Sequence, residues 1–593
     1  MLSVFSPIGS RAKNKMRTKL FIVFLAISSI LSACGSPATN TTPTSAAPTR
    51  GGELVYRLST APTTFNYLMA KDEATIDAAF YMLTSRLVDL DHATQSYKPG
   101  LAESWKREDD GVTVDVKLRD GAKFSDGSEI TADDVAFTMA AIYDEKTNSP
   151  AWKSAMTIGD NKQIAVKVVD KLNLKLIFPQ KVAAVENYLL NVGVLPAKAL
   201  KPALDAGTLA EAWGLTSDPK SVISSGPFVV ESAAVGERLT FARNPNYWKK
   251  DGSGTQLPYL DKISFDIVPE PNAALAKLEQ NQIDIVDRIR PSDFASLGKP
   301  GSPIKAIDVG PGMSTDHIFF NLNKKDAKGN DLASSPKYTW FSDVKFRKAI
   351  SKAIDKKTIA ETTLRGLATP MGSFVSPGNK AWLNKAISAD TYDLAGAKQL
   401  LSEAGFVTKG TEQAAELYDS KGNRVEFTLL VGVENQPRNL AAAVIQEDLA
   451  KLGIKMQVAP VESKDITARW TTSFDYDAIF LGLAASDMEP STMAGFIESS
   501  GSTHQWQPMQ KTPATEWEAR LDKLFDEQAT ETDQAKRKAL FDEIQKIVDD
   551  ETPVIPIVTR HVVSAANIRV GNIAPSPMLP YSLWNVDELF VSK

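Results

Sequence analysis

The chain has 593 residues, of which 43% are hydrophobic and 23% charged, and these are ordinary values for globular proteins. Its 67 basic and 72 acidic residues give a formal net charge of −5, and without any long basic run this disfavours nucleic acid as a partner. The single cysteine excludes a disulfide framework within the chain and a metal site built from several thiolates.

The first element is an apolar stretch, Leu20 to Ala33, that follows several basic residues. It has the layout of a secretory signal and is short for a membrane span, which needs about 20 residues. The segment Leu31-Ser32-Ala33-Cys34 resembles the bacterial lipobox, in which the signal is cut just before a cysteine that then carries lipid. We therefore expect residues 1–33 to be a lipoprotein signal peptide and Cys34 to be lipidated.

Residues 34–50 are rich in Ser, Thr, Pro and Ala and show no apolar periodicity. This composition predicts a flexible tether between a lipid and a folded body. Five basic residues and no acidic residue precede Cys34, so the chain from Cys34 onward carries 62 basic against 72 acidic residues, a net charge of about −10. The exported body is therefore expected to be acidic.

Strand and helix patterns follow along the folded body. Alternating apolar residues predict strands in "VTVDVKL" (112–118) and "KISFDIV" (262–268). A helix is predicted to begin at Thr131, because Asp134 three residues later completes a capping box. Its apolar face is formed by Val135, Met139 and Ile142. Two further helical stripes near the C-terminus predict core helices, and their members are Trp517, Leu521, Leu524 and Phe525, then Leu540, Phe541, Ile544, Ile547 and Val548.

The segment 426–461 predicts a parallel strand–helix–strand unit. "EFTLLVGV" reads as a buried strand, the next segment as a helix ending at Gly453, and "IKMQVAPV" as a second strand. A further strand, "YDAIFLGL", ends at Leu483. Ligands of open α/β sheets gather beyond the carboxyl ends of such strands, so the loop after Leu483 is a candidate site.

Sequence motifs for catalysis are absent. The four histidines, at positions 92, 317, 504 and 561, fall in no close metal-ligand spacing. Neither a phosphate loop nor a nucleophile elbow occurs. We therefore predict no catalytic residue, no metal and no cofactor, although a hydrolase of cell-wall material, which needs only two carboxylates, stays open at this level.

Several motifs resemble one family of transport proteins. They are "YKPGLAESWKREDDGVTVDVKLRDGAKFSDGSEITADDVAFTM" (97–139), "SSGPFVV" (224–230), "FARNPNYW" (241–248), "FFNLN" (319–323), "DVKFRKAISKAIDKKTI" (343–359) and "YDLAGAKQLLSEAGF" (392–406). Together they resemble the extracytoplasmic solute-binding proteins of the peptide/nickel/opine class, called family 5, over essentially all of residues 51–593. Such proteins deliver ligands to ABC importers, so the resemblance implies a solute receptor and no enzyme.

The resemblance implies an α/β fold of the periplasmic-binding-protein type, with two lobes (a Venus flytrap) and an extra subdomain on lobe I. Lobe I is expected at 51–90, 223–312 and 560–593, its extra subdomain at 91–222, and lobe II at 313–559. The chain would cross between the lobes near "VGPGMST" and "VTRHVV". Gly310 and Gly312 in the first crossing are the expected hinge residues, because glycine tolerates backbone rotation.

Two stretches are expected to face the ligand. One contributes Thr63, Thr64, Phe65 and Asn66, and the other contributes Gly482, Ala484, Ser486 and Asp487. Peptide-binding relatives hold the ligand's ammonium with an aspartate at the position that is Ser486 here, and oligopeptide binders can place an arginine at the position of Phe480. Asp487 is one residue late, which on a strand would turn its side chain to the other face, although a loop would let it reach.

The loop that contains His504 and Trp506 is a further candidate ligand site. His504 would supply a polar contact and Trp506 a stacking face. The alternative is that this is a packed loop. The expected ligand is a peptide, with an oligosaccharide or other polar solute as the alternative. Expected partners are ABC permease subunits in the cytoplasmic membrane, which this chain would approach as a monomer through its lipid anchor. A sensor or folding-helper role without transport is a separate alternative.

Overall fold

The computed structural model describes residues 48–159, 161–299, 301–411, 414–483, 488–508 and 510–592. The strands in these ranges are β1 (Glu53–Leu58), β2 (Val88–Asp91), β3 (Ser96–Pro99), β4 (Ala102–Arg107), β5 (Thr113–Leu118), β6 (Thr157–Ile158), β7 (Lys162–Gln163), β8 (Ala165–Val168), β9 (Asn173–Ile177), β10 (Phe228–Ala234), β11 (Arg238–Arg243), β12 (Lys262–Ile267), β13 (Ile285–Asp287), β14 (Ile304–Pro311), β15 (Thr315–Phe320), β16 (Ala368–Pro370), β17 (Val407–Lys409), β18 (Glu416–Tyr418), β19 (Glu426–Gly432), β20 (Lys455–Val461), β21 (Ala478–Leu483), β22 (Val554–Asn567), β23 (Val570–Gly571) and β24 (Phe590–Val591).

The helices are α1 (Glu73–Thr75), α2 (Ala132–Tyr143), α3 (Pro150–Ala155), α4 (Val185–Leu190), α5 (Ala197–Ala206), α6 (Pro271–Glu279), α7 (Pro291–Leu297), α8 (Pro336–Ser342), α9 (Val344–Ala353), α10 (Lys356–Thr358), α11 (Leu394–Glu403), α12 (Gln436–Ala450), α13 (Ser463–Ala468), α14 (Ala494–Ile497), α15 (Glu516–Thr530) and α16 (Gln534–Glu551). A π-helical turn, Ile76–Tyr81, continues α1. Within the described ranges, every helix falls short of the length or the apolarity that crossing a bilayer requires.

The strands and helices expected from sequence patterns are present. The two alternating segments form β5 and β12. Helix α2 begins with the predicted capping box, in which the backbone N–H of Thr131 donates to the Asp134 carboxylate at 2.9 Å. Strands β19 and β20 are parallel and connected through α12, and β21 also runs parallel to β19. The predicted strand–helix–strand unit is therefore confirmed.

One continuous path of strands runs through both lobes, in the order β10-β11-β12-β1-β13-β22-β15-β21-β19-β20. The first five strands, with β14, form the sheet of lobe I, and the last four, with β16, form the sheet of lobe II. Strand β22 belongs to both: its first half pairs with β15 and β16, and its second half pairs with β13 and β14. This is the expected two-lobe α/β fold.

A separate four-stranded sheet, ordered β4-β5-β9-β8, packs on lobe I. Val114 and Val116 of this sheet share one hydrophobic core with Leu54 and Tyr56 of β1. Because this core is continuous, the four-stranded sheet and lobe I bury their apolar faces against the same group of residues.

Lobe II buries both faces of its sheet. Consecutive residues of β15 point to opposite faces, so Phe320 joins the core beneath α12 and Phe319 joins the core beneath α15 and α16. The two C-terminal stripes predicted from sequence lie in this second core, where Leu521 and Phe541 are fully buried. A sheet covered on both faces explains why its strands are apolar runs without alternation.

Candidate functional site

The chain crosses between the lobes at two places, and these crossings fix where the lobes face each other. The first crossing runs from the end of β14 to the start of β15 and includes Gly310 and Gly312. Gly310 there has a φ of +91°, and a Cβ on Gly312 would lie 3.0 Å from the carbonyl oxygen of Arg560. Both positions therefore favour glycine. The second crossing is the middle of β22, where His561 is paired with Pro311.

A charged cluster of lobe II lies beside the crossings. A guanidinium nitrogen of Arg438, on α12, is 2.6 Å from Asp316 of β15, and both side chains are almost fully buried. Arg560, on β22, approaches the other oxygen of Asp316 at 3.6 Å. With two cations and one anion, the cluster carries an excess positive charge.

Gly482 makes this cluster possible. It is paired with Asp316 across β21 and β15, and a Cβ on Gly482 would lie 2.1 Å from the Arg438 guanidinium. The guanidinium of Arg438 also lies 5.8 Å from the centre of the Phe480 ring. An arginine is thus present beside Phe480, supplied by a helix and not by the strand itself.

An apolar pocket of about 170 Å³ adjoins this cluster at the end of β21. Leu483 lines it together with other uncharged residues, which include Met313, Phe374, Phe496 and Ile497. Gln505 also lines it, is fully buried, and has no hydrogen-bond partner for either amide atom among the described residues. A pocket of this composition fits an apolar side chain that carries a small polar group.

A second pocket, of about 110 Å³, lies in lobe I at the carboxyl ends of β1 and β13. Carboxylates of Glu73, Asp77 and Asp287 line it, together with Arg288. Asp287 is paired with Ser564 on β22, three residues beyond His561, so this pocket is also near the crossings. Burial and then the carboxylate of Glu73 raise the pKa of Asp77 well above its ordinary value.

The structure places the residues Thr63 to Asn66 against the segment 209–213. The Thr64 hydroxyl donates to the carbonyl oxygen of Trp213, and the Asn66 amide donates to that of Leu209. Phe65 packs edge-on against a core phenylalanine. Thr63 is the one member of this predicted group with an exposed side chain. The other three hold the fold together in this conformation.

His504 and Trp506 are fully buried, and their ring centres lie 4.0 Å apart. The indole N–H of Trp506 donates to Glu518 at 2.9 Å. Burial lowers the pKa of His504 to about 3, so this imidazole is neutral at physiological pH. In this conformation neither ring has a face that a solute could reach. This agrees with the interpretation of the loop as packing.

Four of the predicted site residues lie outside the described residues: Cys34, Ala484, Ser486 and Asp487. Their predicted roles stay predictions. The described residues that flank the loop, Leu483 and Met488, place its two ends beside the apolar pocket, because the carbonyl oxygen of Met488 accepts a hydrogen bond from the pocket residue Asn379.

The lobes touch through the hairpin of β2 and β3. Gln95, at the tip of the turn between β2 and β3, donates its amide N–H to the carbonyl oxygen of Gly378 at 2.7 Å. Its amide oxygen accepts from the backbone N–H of Lys380 at 2.9 Å. A second contact joins the backbone N–H of Ala183 to the carbonyl oxygen of Ala529. These bonds exist only while the lobes are together.

Sequence patterns did not indicate Asp316, Arg438, Asp77 or Gln95. Asp316 carried one signal, since it is a charged residue two positions before the apolar run Ile318–Phe320. The other three are brought to their places by tertiary contacts. Among the described residues, no group of three or more His, Cys, Asp or Glu side chains is arranged to hold a metal ion.

Two lobes joined by two crossings, with a pocket of each lobe near those crossings, are the arrangement of solute-binding proteins. The chain belongs to the bacterial extracellular solute-binding proteins, family 5, because the model of this family's middle region matches residues 96–505. Proteins of this family are extracytoplasmic binding components of transport and are not enzymes. The family expected from the sequence motifs is confirmed.

Similar proteins support this assignment. A probable ABC transporter-binding protein from Deinococcus radiodurans is 29% identical over 82% of this chain and 83% of its own. The oligopeptide-binding protein AppA from Bacillus subtilis is 27% identical over 98% of this chain and 100% of its own. The crystal structure of the substrate-binding protein CtaP from Listeria monocytogenes has the same fold, with a TM-score of 0.73, 23% identity, and coverage of 92% of this chain and 100% of CtaP.

Proposed function

We propose that the protein is a lipid-anchored extracytoplasmic receptor that captures peptides between its lobes and delivers them to an ABC permease. The similarity to AppA carries this proposal, because it extends over 98% of this chain and the whole of a protein named as oligopeptide-binding. The similarity to a transporter-binding protein from Deinococcus radiodurans supports the permease partner.

The geometry near the crossings suits a peptide. The apolar pocket beside Leu483 has room for a side chain, and it contains the unpartnered amide of Gln505. The positive cluster of Arg438 and Arg560 around Asp316 suits a carboxylate. Backbone hydrogen bonds along an extended ligand would supply affinity with little dependence on side-chain identity.

The proposal also assigns the signal peptide, the tether, the lobes and the hinge. Residues 1–33 would be removed, Cys34 would carry the lipid, and 34–50 would be the tether. Lobe I would comprise 51–90, 223–312 and 560–593, with the extra subdomain at 91–222, and lobe II would comprise 313–559. Gly310 and Gly312 would act as the hinge of a monomeric receptor, and the ligand would favour the conformation in which the lobes touch.

Native mass spectrometry of the full-length chain, purified in mild detergent, tests the ligand class. The protein is measured intact and then after denaturation, which releases tightly bound molecules. A ladder of short heterogeneous peptides is expected. Hexose-spaced masses would contradict the peptide proposal. Returning a recovered peptide at about 100 times its dissociation constant should stabilise the protein by about 2.7 kcal/mol.

The anchor is tested separately by intact mass. The wild-type chain expressed in a bacterial host should begin at Cys34 and carry a mass increment of acyl chains, whereas Cys34→Ser should lack the increment. An unmodified Cys34 in a chain that retains residues 1–33 would contradict lipidation.

A further inference from the structure

One carboxylate of lobe I is buried without a hydrogen-bond partner. The Asp77 side chain is 2% exposed, and its Oδ1 atom meets no donor among the described residues. A buried, unpaired carboxylate costs several kcal/mol, so proteins ordinarily give such a group a cation or several donors. Asp77 lies in the π-helical turn Ile76–Tyr81, a geometry that is frequent at functional sites.

The neighbouring carboxylates are already satisfied. Asp287 accepts hydrogen bonds from the Tyr56 hydroxyl at 2.9 Å, from the Ser582 hydroxyl at 2.6 Å, and from the Ser564 hydroxyl. Glu73 is paired with the guanidinium of Arg288 at 3.0 Å. Within this group Asp77 is therefore the carboxylate that has neither a hydrogen-bond donor nor a direct ion-pair partner among the described residues.

Asp77 lines the lobe I pocket of about 110 Å³. This volume exceeds the roughly 30 Å³ that a water molecule occupies, so the pocket can admit a small ligand group. Ser59 and Thr60, which directly follow β1, form part of its wall. The pocket thus opens where parallel strands end, which is the usual position of ligands in α/β sheets.

We propose that Asp77 binds the ammonium group of the ligand from lobe I. This inference rests on the proposed function and names the end of the peptide that lobe I holds. A carboxylate without a partner favours a cation and repels an anion. Glu73 strengthens this preference and keeps Arg288 from neutralising Asp77.

The raised pKa of Asp77 agrees with this assignment. Burial is its largest cause, followed by the carboxylates of Glu73 and Asp287. The groups that face Asp77 also include Arg288 and Asp72. Without a ligand the charged form of Asp77 is disfavoured, and a bound ammonium would restore it.

The test compares free and blocked amino groups. The probe is a synthetic pool of lysine-free tri- to pentapeptides, mixed with an equal amount of the same pool after N-acetylation. The full-length wild type, Asp77→Asn and the control Asp205→Asn are each incubated with the mixture, and retained peptides are counted by mass spectrometry. Asp205 is an exposed residue of α5 that forms an ion pair with Lys201 on the same helix.

Wild type and Asp205→Asn should retain free peptides about 10-fold over acetylated ones, which corresponds to about 1.4 kcal/mol. Asp77→Asn should bring this ratio close to one. Glu73→Gln, which leaves Arg288 free to neutralise Asp77, should lower the ratio as well and serves as the second variant.

Each outcome decides a particular claim. An unchanged ratio in Asp77→Asn, or a wild type that ignores acetylation, would overturn the ammonium site and leave the peptide receptor intact. Should Asp77→Asn fail to fold, an unchanged ratio in Glu73→Gln would overturn the site. Retention of no peptide by any variant would overturn the proposed function, and the ammonium site with it.

Discussion

The contact that Gln95 makes between the lobes predicts how strongly lobe closure contributes to affinity. Replacing Gln95 by alanine removes two hydrogen bonds, to Gly378 and Lys380, that are 2.7 and 2.9 Å long. Each is worth about 1 kcal/mol net, so the closed conformation should lose about 2 kcal/mol. If the ligand-free receptor is mainly open, this whole loss appears in binding, and the dissociation constant should rise about 30-fold.

The assay is a titration of wild type and Gln95→Ala with a peptide recovered from the native protein. Gln95 has a φ of 55°, and alanine keeps the same backbone cost, so the unfolding free energy should change little. Gln163→Ala, in another hairpin at an exposed position, is the matched control. A dissociation constant for Gln95→Ala within twofold of wild type would refute the reasoning, since the contact would then not be specific to the ligand-bound conformation.

Three further substitutions test other parts of the structure. Gly482→Ala places a Cβ 2.1 Å from the Arg438 guanidinium and should displace it from Asp316, so retained peptide should fall in native mass spectrometry; unchanged retention would count against this cluster. Arg537→Met removes the buried 2.5 Å ion pair with Glu489 and the hydrogen bond from Arg537 to the carbonyl oxygen of Gln528, and should lower the unfolding free energy by about 3–5 kcal/mol in urea titrations; a loss below about 1 kcal/mol would contradict this. Burial, Asp526 and Asp522 raise the pKa of Glu498 to about 7, so the folded state holds its proton more tightly than the unfolded state. Stability should therefore fall as pH rises from the ordinary glutamate pKa toward 7, by less than about 1.4 kcal/mol per pH unit because the group is partly exposed, and Glu498→Gln should flatten that part of the curve.

Sequence patterns predicted those helices and strands whose signals come from residues close together in the chain. Thr131 and Asp134 are three residues apart, so their capping box is visible in the sequence and is present in α2. Strands β19 and β21 are buried on both faces, and this produces the apolar runs from which they were predicted. The family and the two-lobe fold followed from motifs spread along the whole chain.

The site depended on contacts that no local pattern encodes. Arg438 reaches Asp316 from 122 residues away, and Gln95 reaches Gly378 from 283 residues away. Trp506 is an aromatic residue in a polar loop, which suggested a stacking face, yet Glu518 satisfies its indole inside the core. Thr64 and Asn66 follow a strand end as ligand contacts do, but their polar atoms bond to the backbone carbonyl oxygens of Trp213 and Leu209.

The distance between the lobes, measured with and without peptide, tests the central claim most directly. Spin labels at Ala93→Cys and Lys385→Cys, both exposed and on either side of the Gln95 contact, are introduced into a Cys34→Ser background. The account predicts one short distance in the peptide-bound protein and a longer, broader distribution once the ligand is removed by denaturation and refolding. The same distribution in both states would contradict capture between the lobes.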